Sequence, residues 1–275
     1  MTRKLILITD IHLCPPGKRM FGIDPAERFA AALAHAQATH PDAEHVIVMG
    51  DLANCGARQE YERVRAVLDA VALPVTLMPG NHDNRDALLA VFPESETTPE
   101  GHVQSVIALG EDRLITLDTL DGPPFVEHHA IGVMCAARLA WLERALADAA
   151  GRRVLLFMHH PPYEVGIERL DCIGLADREA FLEIVRAAGN VAHIFSGHVH
   201  RTISGNLDGI AVSLLKSTLH QLPFHAGRPG DRPGGPEAGA YGVIILTPQS
   251  VILHSEEFGG GAMAEDQPAP GGPST

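Results

Sequence analysis

The chain has no long apolar runs. No stretch approaches the roughly 18 consecutive apolar residues of a membrane-spanning helix, so no membrane partner is expected. Its opening run, Leu5-Ile6-Leu7-Ile8, stops at Thr9-Asp10, short of the roughly 7–15 apolar residues at the centre of a secretory signal. Basic residues are scarce too: 21 Lys and Arg stand against 34 Asp and Glu, a net charge of −13. Proteins that bind nucleic-acid polymers carry a basic face, so this balance argues against such a partner. Cysteine is rare: Cys14, Cys55, Cys135 and Cys172 form no C-x-x-C pair and are expected to be free thiols in a reducing cytoplasm. There is also no G-x-S-x-G elbow, no Walker lysine motif and no Rossmann glycine fingerprint.

What remains is sized for one enzyme domain. With 275 residues, 45 % of them apolar, the chain can bury a sizeable core without disulfides. Apolar runs at 5–8, 46–49, 75–78, 154–158 and 191–195 read as buried strands. Pro25 opens a helix whose Phe29, Leu33 and Ala36 share a face, and residues 58–71 form another, with Tyr61, Val64 and Leu68 inward. This β-α-β-α-β order implies a parallel sheet with right-handed crossovers. A hairpin at 103–109 and 113–117 follows, then a helix at 139–149 with Trp141 and Leu142 inward, and another at 178–188. Residues 210–215, 241–246 and 251–254 read as antiparallel strands. The expected fold is α/β: a four-layer αββα sandwich of two mixed β-sheets flanked by helices, over residues 1–258. Residues 121–136, with His128 and His129, lack periodicity and are expected to form a cap or oligomerisation segment. Residues 227–239 read as a Gly- and Pro-rich surface loop, and 259–275 have the composition of a disordered tail.

Five short motifs each follow one of the five buried runs: Asp10-Ile11-His12, Gly50-Asp51, Gly80-Asn81-His82-Asp83, His159-His160 and Gly197-His198-Val199-His200. Open α/β sheets place their chemistry at the carboxyl ends of strands. Taken singly, a D-x-H or G-H-x-H pair is incidental more often than not, and Asn81 or Asp83 reads equally well as a helix N-cap. All five together, in order and at strand ends, describe oxygen and imidazole ligands converging on two divalent metals. Asp10 and His12, one residue apart, point to one side of a strand end. Asp51 holds the central position from which to bridge two ions, Asn81 offers an amide oxygen, and His198 and His200 offer imidazoles. The adjacent pair His159 and His160 leaves open which ring is a ligand. Thiolate ligation by Cys14 or Cys55, just past two of the motifs, is a further alternative that the oxygen and nitrogen supply makes unnecessary. Such a mixed set suits Mn, Fe, Zn or Co better than Mg or Ca. Two ions about 3.5–4 Å apart activate water and clamp phosphoryl oxygens, so metal-assisted phosphate ester hydrolysis is the chemistry expected.

The pattern D-x-H, G-D, G-N-H-[DE], H and G-H-x-H resembles that of the calcineurin-like metallophosphoesterase superfamily, over roughly residues 4–254. Further stretches resemble the class III cyclic nucleotide phosphodiesterases and their bacterial glycerophosphodiesterase relatives. They include Gly50-Asp51-Leu52 with Gly56 and Glu60-Tyr61, Met158-His159-His160-Pro161-Pro162, and Ser217-Thr218-Leu219-His220-Gln221. The resemblance implies that Asp10, His12, Asp51 and His200 hold the first ion. It gives Asp51, Asn81, His159 and His198 to the second, His159 being preferred because relatives place the ligand two residues before the proline. It makes His82 a catalytic residue at the phosphate or leaving group, with Asp83 orienting it, and turns Asn81, His82 and His220 toward substrate. The implied reaction is in-line attack of a metal-bound hydroxide on the phosphorus of a small phosphodiester, with 3′,5′-cyclic nucleotides among the candidates. A phosphomonoesterase of the same fold is the alternative, against which the few basic residues near the motifs argue, although Arg201 follows the last ligand. A non-catalytic scaffold is more remote, because no ligand position is missing. The resemblance also implies a homo-oligomer.

Overall fold

The computed structural model describes residues 2–122, 130–176, 178–224, 234–235 and 237–259, and all that follows concerns these. In the first sheet β1 (Arg3–Ile8), β2 (His45–Met49) and β3 (Val75–Met78) run parallel. In the second, β4 (Ser105–Leu109) and β5 (Asp112–Leu117) form an antiparallel hairpin, and β6 (Val154–Met158) and β7 (Val191–Ser196) continue parallel to β5. The strands β8 (Ile203–Leu207) and β9 (Ile210–Leu214) extend the second sheet, giving the order β4-β5-β6-β7-β9-β8. The chain then returns to the first sheet as β10 (Gly239–Leu246) and β11 (Val251–Phe258), for the order β11-β10-β1-β2-β3.

Side-chain alternation explains why the central strands are apolar on both faces. Ile6 and Ile8 of β1, with Val46 and Val48 of β2, face α1 (Pro25–Thr39), α2 (Arg58–Leu68) and α3 (Arg85–Val91). Leu5, Leu7, Ile47 and Met49 point the other way and meet Leu114, Leu155, Phe157 and Phe195 of the second sheet. In that middle layer the Phe157 and Phe195 rings stack at 5.1 Å. The outer face of the second sheet, with Leu156, Met158 and Ile194, is covered by Leu142 of α4 (Ala136–Asp148) and Phe181 of α6 (Arg178–Ala188). Helix, sheet, sheet, helix is the four-layer order expected.

Some local expectations need correction. The strand at 210–214 is antiparallel only to β8; against β7 it runs parallel, because the tight turn at Asp208-Gly209 reverses the chain before it pairs inward. The short α3 and α5 (Glu168–Asp171) were not anticipated, nor was β8, whose middle residues are exposed. Trp141 packs against the core as expected but stays half-buried, since it also lines a surface groove. Helix α2 ends at Leu68, three residues early. Much of the cap segment (123–129), most of the surface loop and residues 260–275 lie outside the described residues, so those expectations are not addressed. No described helix is long and apolar enough to cross a membrane.

Candidate metal centre

The pairing of β1 with β2 continues past the strand ends. His12 N–H donates to the Asp51 carbonyl at 2.8 Å and Leu13 N–H to that of Leu52 at 2.9 Å, so the two loops leave the sheet side by side. Likewise Gly197 N–H donates to the His159 carbonyl at 3.0 Å. The backbone then turns through the left-handed region at Asp10 (φ 54°), His12 (44°), Asp51 (48°), His198 (69°) and His200 (52°). Among described non-glycine residues only Phe21 and Asp208 share that conformation. It costs roughly 1–2 kcal/mol per residue and persists where surrounding contacts over-determine it, which is common at functional sites. Gly80 and Gly197 are required by close approach: a Cβ on Gly80 would overlap the Asp51 amide and carboxylate, and one on Gly197 would overlap the Thr9 hydroxyl.

These turns gather the motif side chains into one cluster. Asp10, His12, Asp51 and His200 each offer a ligand-type atom within 4.8 Å of the others. His200 Nε2 lies 3.2 Å from Asp10 Oδ1 and 3.1 Å from His12 Nε2, and His12 Nε2 lies 3.5 Å from Asp51 Oδ2. The other Asp51 oxygen, Oδ1, is 3.3 Å from His159 Nε2. Beside it Asn81 Oδ1 sits 3.3 Å from His159 Nε2 and 2.8 Å from His198 Nδ1. Asp51 thus presents one oxygen to each half of the cluster. His159 Nδ1 donates to the Met49 carbonyl at 2.8 Å and His200 Nδ1 to that of His220 at 3.0 Å, which fixes both tautomers and leaves the Nε2 lone pairs facing inward. His160 pairs through Nδ1 with Thr119 Oγ1 at 2.7 Å, while its Nε2 is buried without a protein partner and it offers a ligand-type atom within 4.8 Å of those of His159 and His198. Cys14 Sγ rests on the His12 carbonyl at 3.6 Å and Cys55 is exposed, so neither thiol joins the cluster.

The electrostatics are those of a cation site. Burial works to raise the Asp10 carboxyl, but His200 and His159 pull it below the usual carboxylate range. Burial likewise opposes ionisation of Asp51, and His159, His82 and His12 overcome it. His159, despite burial, is raised to about 9 by Asp51 and Asp10, while burial and the charge of His159 depress His198 to about 3. Protons on His159 thus do what a divalent ion would do, and metal would compete with them for the same lone pairs. His12 Nδ1 and His198 Nε2 are buried without a protein partner. Two buried carboxylates, an amide oxygen and inward imidazoles fit divalent first-row metals.

Around the cluster the expected contact between Asp83 and the His82 ring is not formed. His82 Nδ1 pairs with the Asn54 carbonyl at 2.8 Å, not with Asp83, and its backbone N–H donates to Asp51 Oδ1 at 3.0 Å. Asp83 is fully buried and accepts from the N–H groups of Leu52, Ala53 and Gly80 and from the Tyr61 hydroxyl. It pins the Asp51 loop to the Asn81 loop and makes no hydrogen bond to the His82 ring, which is held by Asn54 instead. Burial, then repulsion from Asp51, raises its carboxyl to about 6. Neither Asn81 nor Asp83 is the N-cap of α3; Asn84 is, accepting from Ala87 N–H at 3.1 Å. His220 packs 4.3 Å from His200, ring centre to ring centre, and burial depresses it to about 3. Thr9 and Ser217 were not singled out, yet Thr9 Oγ1 donates to Asp10 Oδ2 at 2.6 Å and Ser217 Oγ to the Asp10 carbonyl at 2.7 Å. The available signals were that Thr9 adjoins a motif and that Ser217 opens the stretch resembling relatives.

His12, Asp51, Asn81, His82, His198, His200 and His220 line a cavity of about 280 Å³. A larger groove of about 500 Å³ runs between the edge strands β3 and β4, but no motif residue lines it.

The pattern of the calcineurin-like phosphoesterases matches residues 3–202. The chain is 38 % identical over 256 residues to a probable cyclic nucleotide phosphodiesterase of Rhodopseudomonas palustris, covering 93 % of this chain and 92 % of that one. It is 29 % identical to a glycerophosphodiester phosphodiesterase of Enterobacter lignolyticus, covering 79 % of this chain and 78 % of the relative. In fold it is similar to a dimetal phosphatase from Danio rerio, with a TM-score of 0.71 at 17 % identity over 92 % of this chain and 95 % of that one. With its five motifs at the carboxyl ends of strands from both sheets, the chain belongs to the calcineurin-like phosphoesterase family.

Proposed function

We propose that this chain is a metal-dependent phosphodiesterase that hydrolyses small phosphodiesters, 3′,5′-cyclic nucleotides among them, at a dinuclear centre. The observation that carries the reading is Asp51, whose two oxygens face two separate donor sets. Asp10, His12, Asp51 and His200 would hold one ion, and Asp51, Asn81, His159 and His198 the other. When bound, such a pair supplies Lewis acidity and a nucleophile at neutral pH. Mn, Fe, Zn and Co match the donors.

The chain's own residues position and move protons. Asn81 lies between His159 and His198 and lines the cavity, where its amide can meet a phosphoryl oxygen. His82 is fixed through Nδ1 by the Asn54 carbonyl, which leaves Nε2 to exchange a proton with the departing alkoxide. His220, against His200 and Phe21, closes one wall on the substrate side. The free cysteines support a cytoplasmic location, and family likeness supports a homo-oligomer, which sedimentation velocity would test.

The reading is tested by steady-state hydrolysis with metal-stripped protein reloaded with manganese. Bis-p-nitrophenyl phosphate, p-nitrophenyl phosphate and cyclic AMP are compared, with Asn81→Ala as control. A higher kcat/KM for the diesters, lost in the variant, is expected. Preference for the monoester would move the assignment to phosphatase.

A further inference from the structure

Arg169 is the one lysine or arginine on the wall of the metal cavity among the described residues, and it is exposed with neither a hydrogen bond nor an ion pair to them. Several surface arginines elsewhere in this acidic chain are tied to carboxylates, Arg58 to Glu62, Arg152 to Glu111, Arg178 to Glu164 and Arg186 to Asp208, whereas exposed Arg19 reaches only the Gly22 carbonyl and exposed Arg144 has no ion pair among the described residues. What sets Arg169 apart is its place on the wall of the cavity that holds the motif residues. Its position is also well held. Ile167 and Leu170, on either side of it, are buried against Val199 and Leu214, and Asp171 Oδ1 accepts the Val165 N–H at 2.6 Å. Asp171 is thereby occupied, and Glu168, next in sequence, projects from a different side of the helix.

The rest of that wall, Leu170, Ile173 and Leu222, is apolar. A guanidinium beside an apolar surface, with no ion pair to a carboxylate among the described residues, is suited to bidentate pairing with a carboxylate or a phosphate. A simple diester carries one negative charge, on the phosphate, and that charge belongs at the carboxylate and imidazole cluster where the ions are held. It leaves nothing for Arg169. We propose that Arg169 selects diesters whose alcohol arm carries a second oxyanion, a carboxylate or a phosphate. This proposal rests on the phosphodiesterase reading and narrows its substrate class.

Three p-nitrophenyl phosphodiesters with matched arms test it: 2-carbamoylethyl, 2-carboxyethyl and 2-phosphonoethyl. Manganese-loaded wild-type protein is expected to favour at least one charged arm over the neutral amide by about tenfold in kcat/KM, chiefly through KM, the size of one charge-assisted contact. In Arg169→Gln that ratio should fall to near one, and Arg169→Lys should keep part of it. Which charged arm gains identifies the oxyanion. Calorimetric titration with phosphonoacetate and phosphonoacetamide reads the same discrimination without turnover. Equal treatment of all three arms by the wild type, or a preference that survives Arg169→Gln at unchanged Tm, would overturn the proposal. Failure to hydrolyse even bis-p-nitrophenyl phosphate would count against the phosphodiesterase reading instead, and the calorimetric pair would then decide the role of Arg169 alone.

Discussion

The Tyr61 hydroxyl donates to Asp83 Oδ1 at 2.9 Å while accepting the Asn84 N–H at 2.7 Å. One side chain from α2 thereby holds the buried carboxylate that joins the Asp51 and Asn81 loops and also fixes the turn into α3. Tyr61→Phe leaves a buried acceptor and a backbone donor short of a partner. It should lose about 1–3 kcal/mol in urea unfolding, the usual cost of stranded polar groups. An unchanged midpoint would show that water replaces the hydroxyl without loss.

His159 and His160 should separate cleanly in metal content. His159→Ala removes the Nε2 that faces Asp51 and Asn81, so bound metal is expected to fall from two equivalents to one, with activity lost. His160→Gln removes the contact with Thr119 and the buried Nε2 near His159 and His198, and should weaken metal binding by about 10–100-fold at most, as supporting residues do. Elemental analysis after dialysis distinguishes them, and the reverse pattern would transfer the ligand role to His160.

Gly80→Ala places a methyl against the Asp51 amide and His159 Nε2. Overpacking of this kind costs about 1–3 kcal/mol, and here the displaced groups are the cluster itself. The variant should unfold at lower urea and bind manganese poorly, read by equilibrium dialysis. Wild-type metal affinity would contradict the close approach.

Acid sensitivity should arise partly far from the cluster, at His193. Burial depresses this histidine to about 4, and its ring stacks on Phe195 at 4.0 Å with Nε2 on Ser213 Oγ at 2.9 Å. The folded state therefore holds fewer protons on this group than the unfolded state, so stability is complete above the ordinary histidine value and declines as pH falls from about 6.5 through about 4. The loss amounts to about 3 kcal/mol at most by pH 4. His193→Phe keeps the stacked ring without the titration, and urea midpoints between pH 7.5 and 4.5 should fall less steeply than in the wild type.

The strands that carry the site were legible because both their faces are buried, which leaves unbroken apolar runs such as 154–158. The strand-end placement of the motifs follows from the same runs. Elements without such a run escaped notice. The exposed middle of β8, Ser204-Gly205-Asn206, reads as a turn, and α3 and α5, of seven and four residues, are too short for an apolar period to repeat recognisably. The parts played by Thr9, Tyr61 and Ser217 depend on partners distant in the chain or on hydroxyl direction, neither of which leaves a local pattern. The orientation of the His159 and His160 rings was equally hidden, since it is set by the Met49 carbonyl on one side and Thr119 on the other.

The inward donors come from both sheets, and Asp10 and His198, like His12 and His200, stand 188 residues apart. On a ribosome adding about 5–20 residues per second, the later histidines emerge roughly 10–40 s after the first pair. Neither half of the cluster is complete before β7 of the second sheet has been made, so a dinuclear centre built on these donors would be filled only after the later histidines have been synthesised.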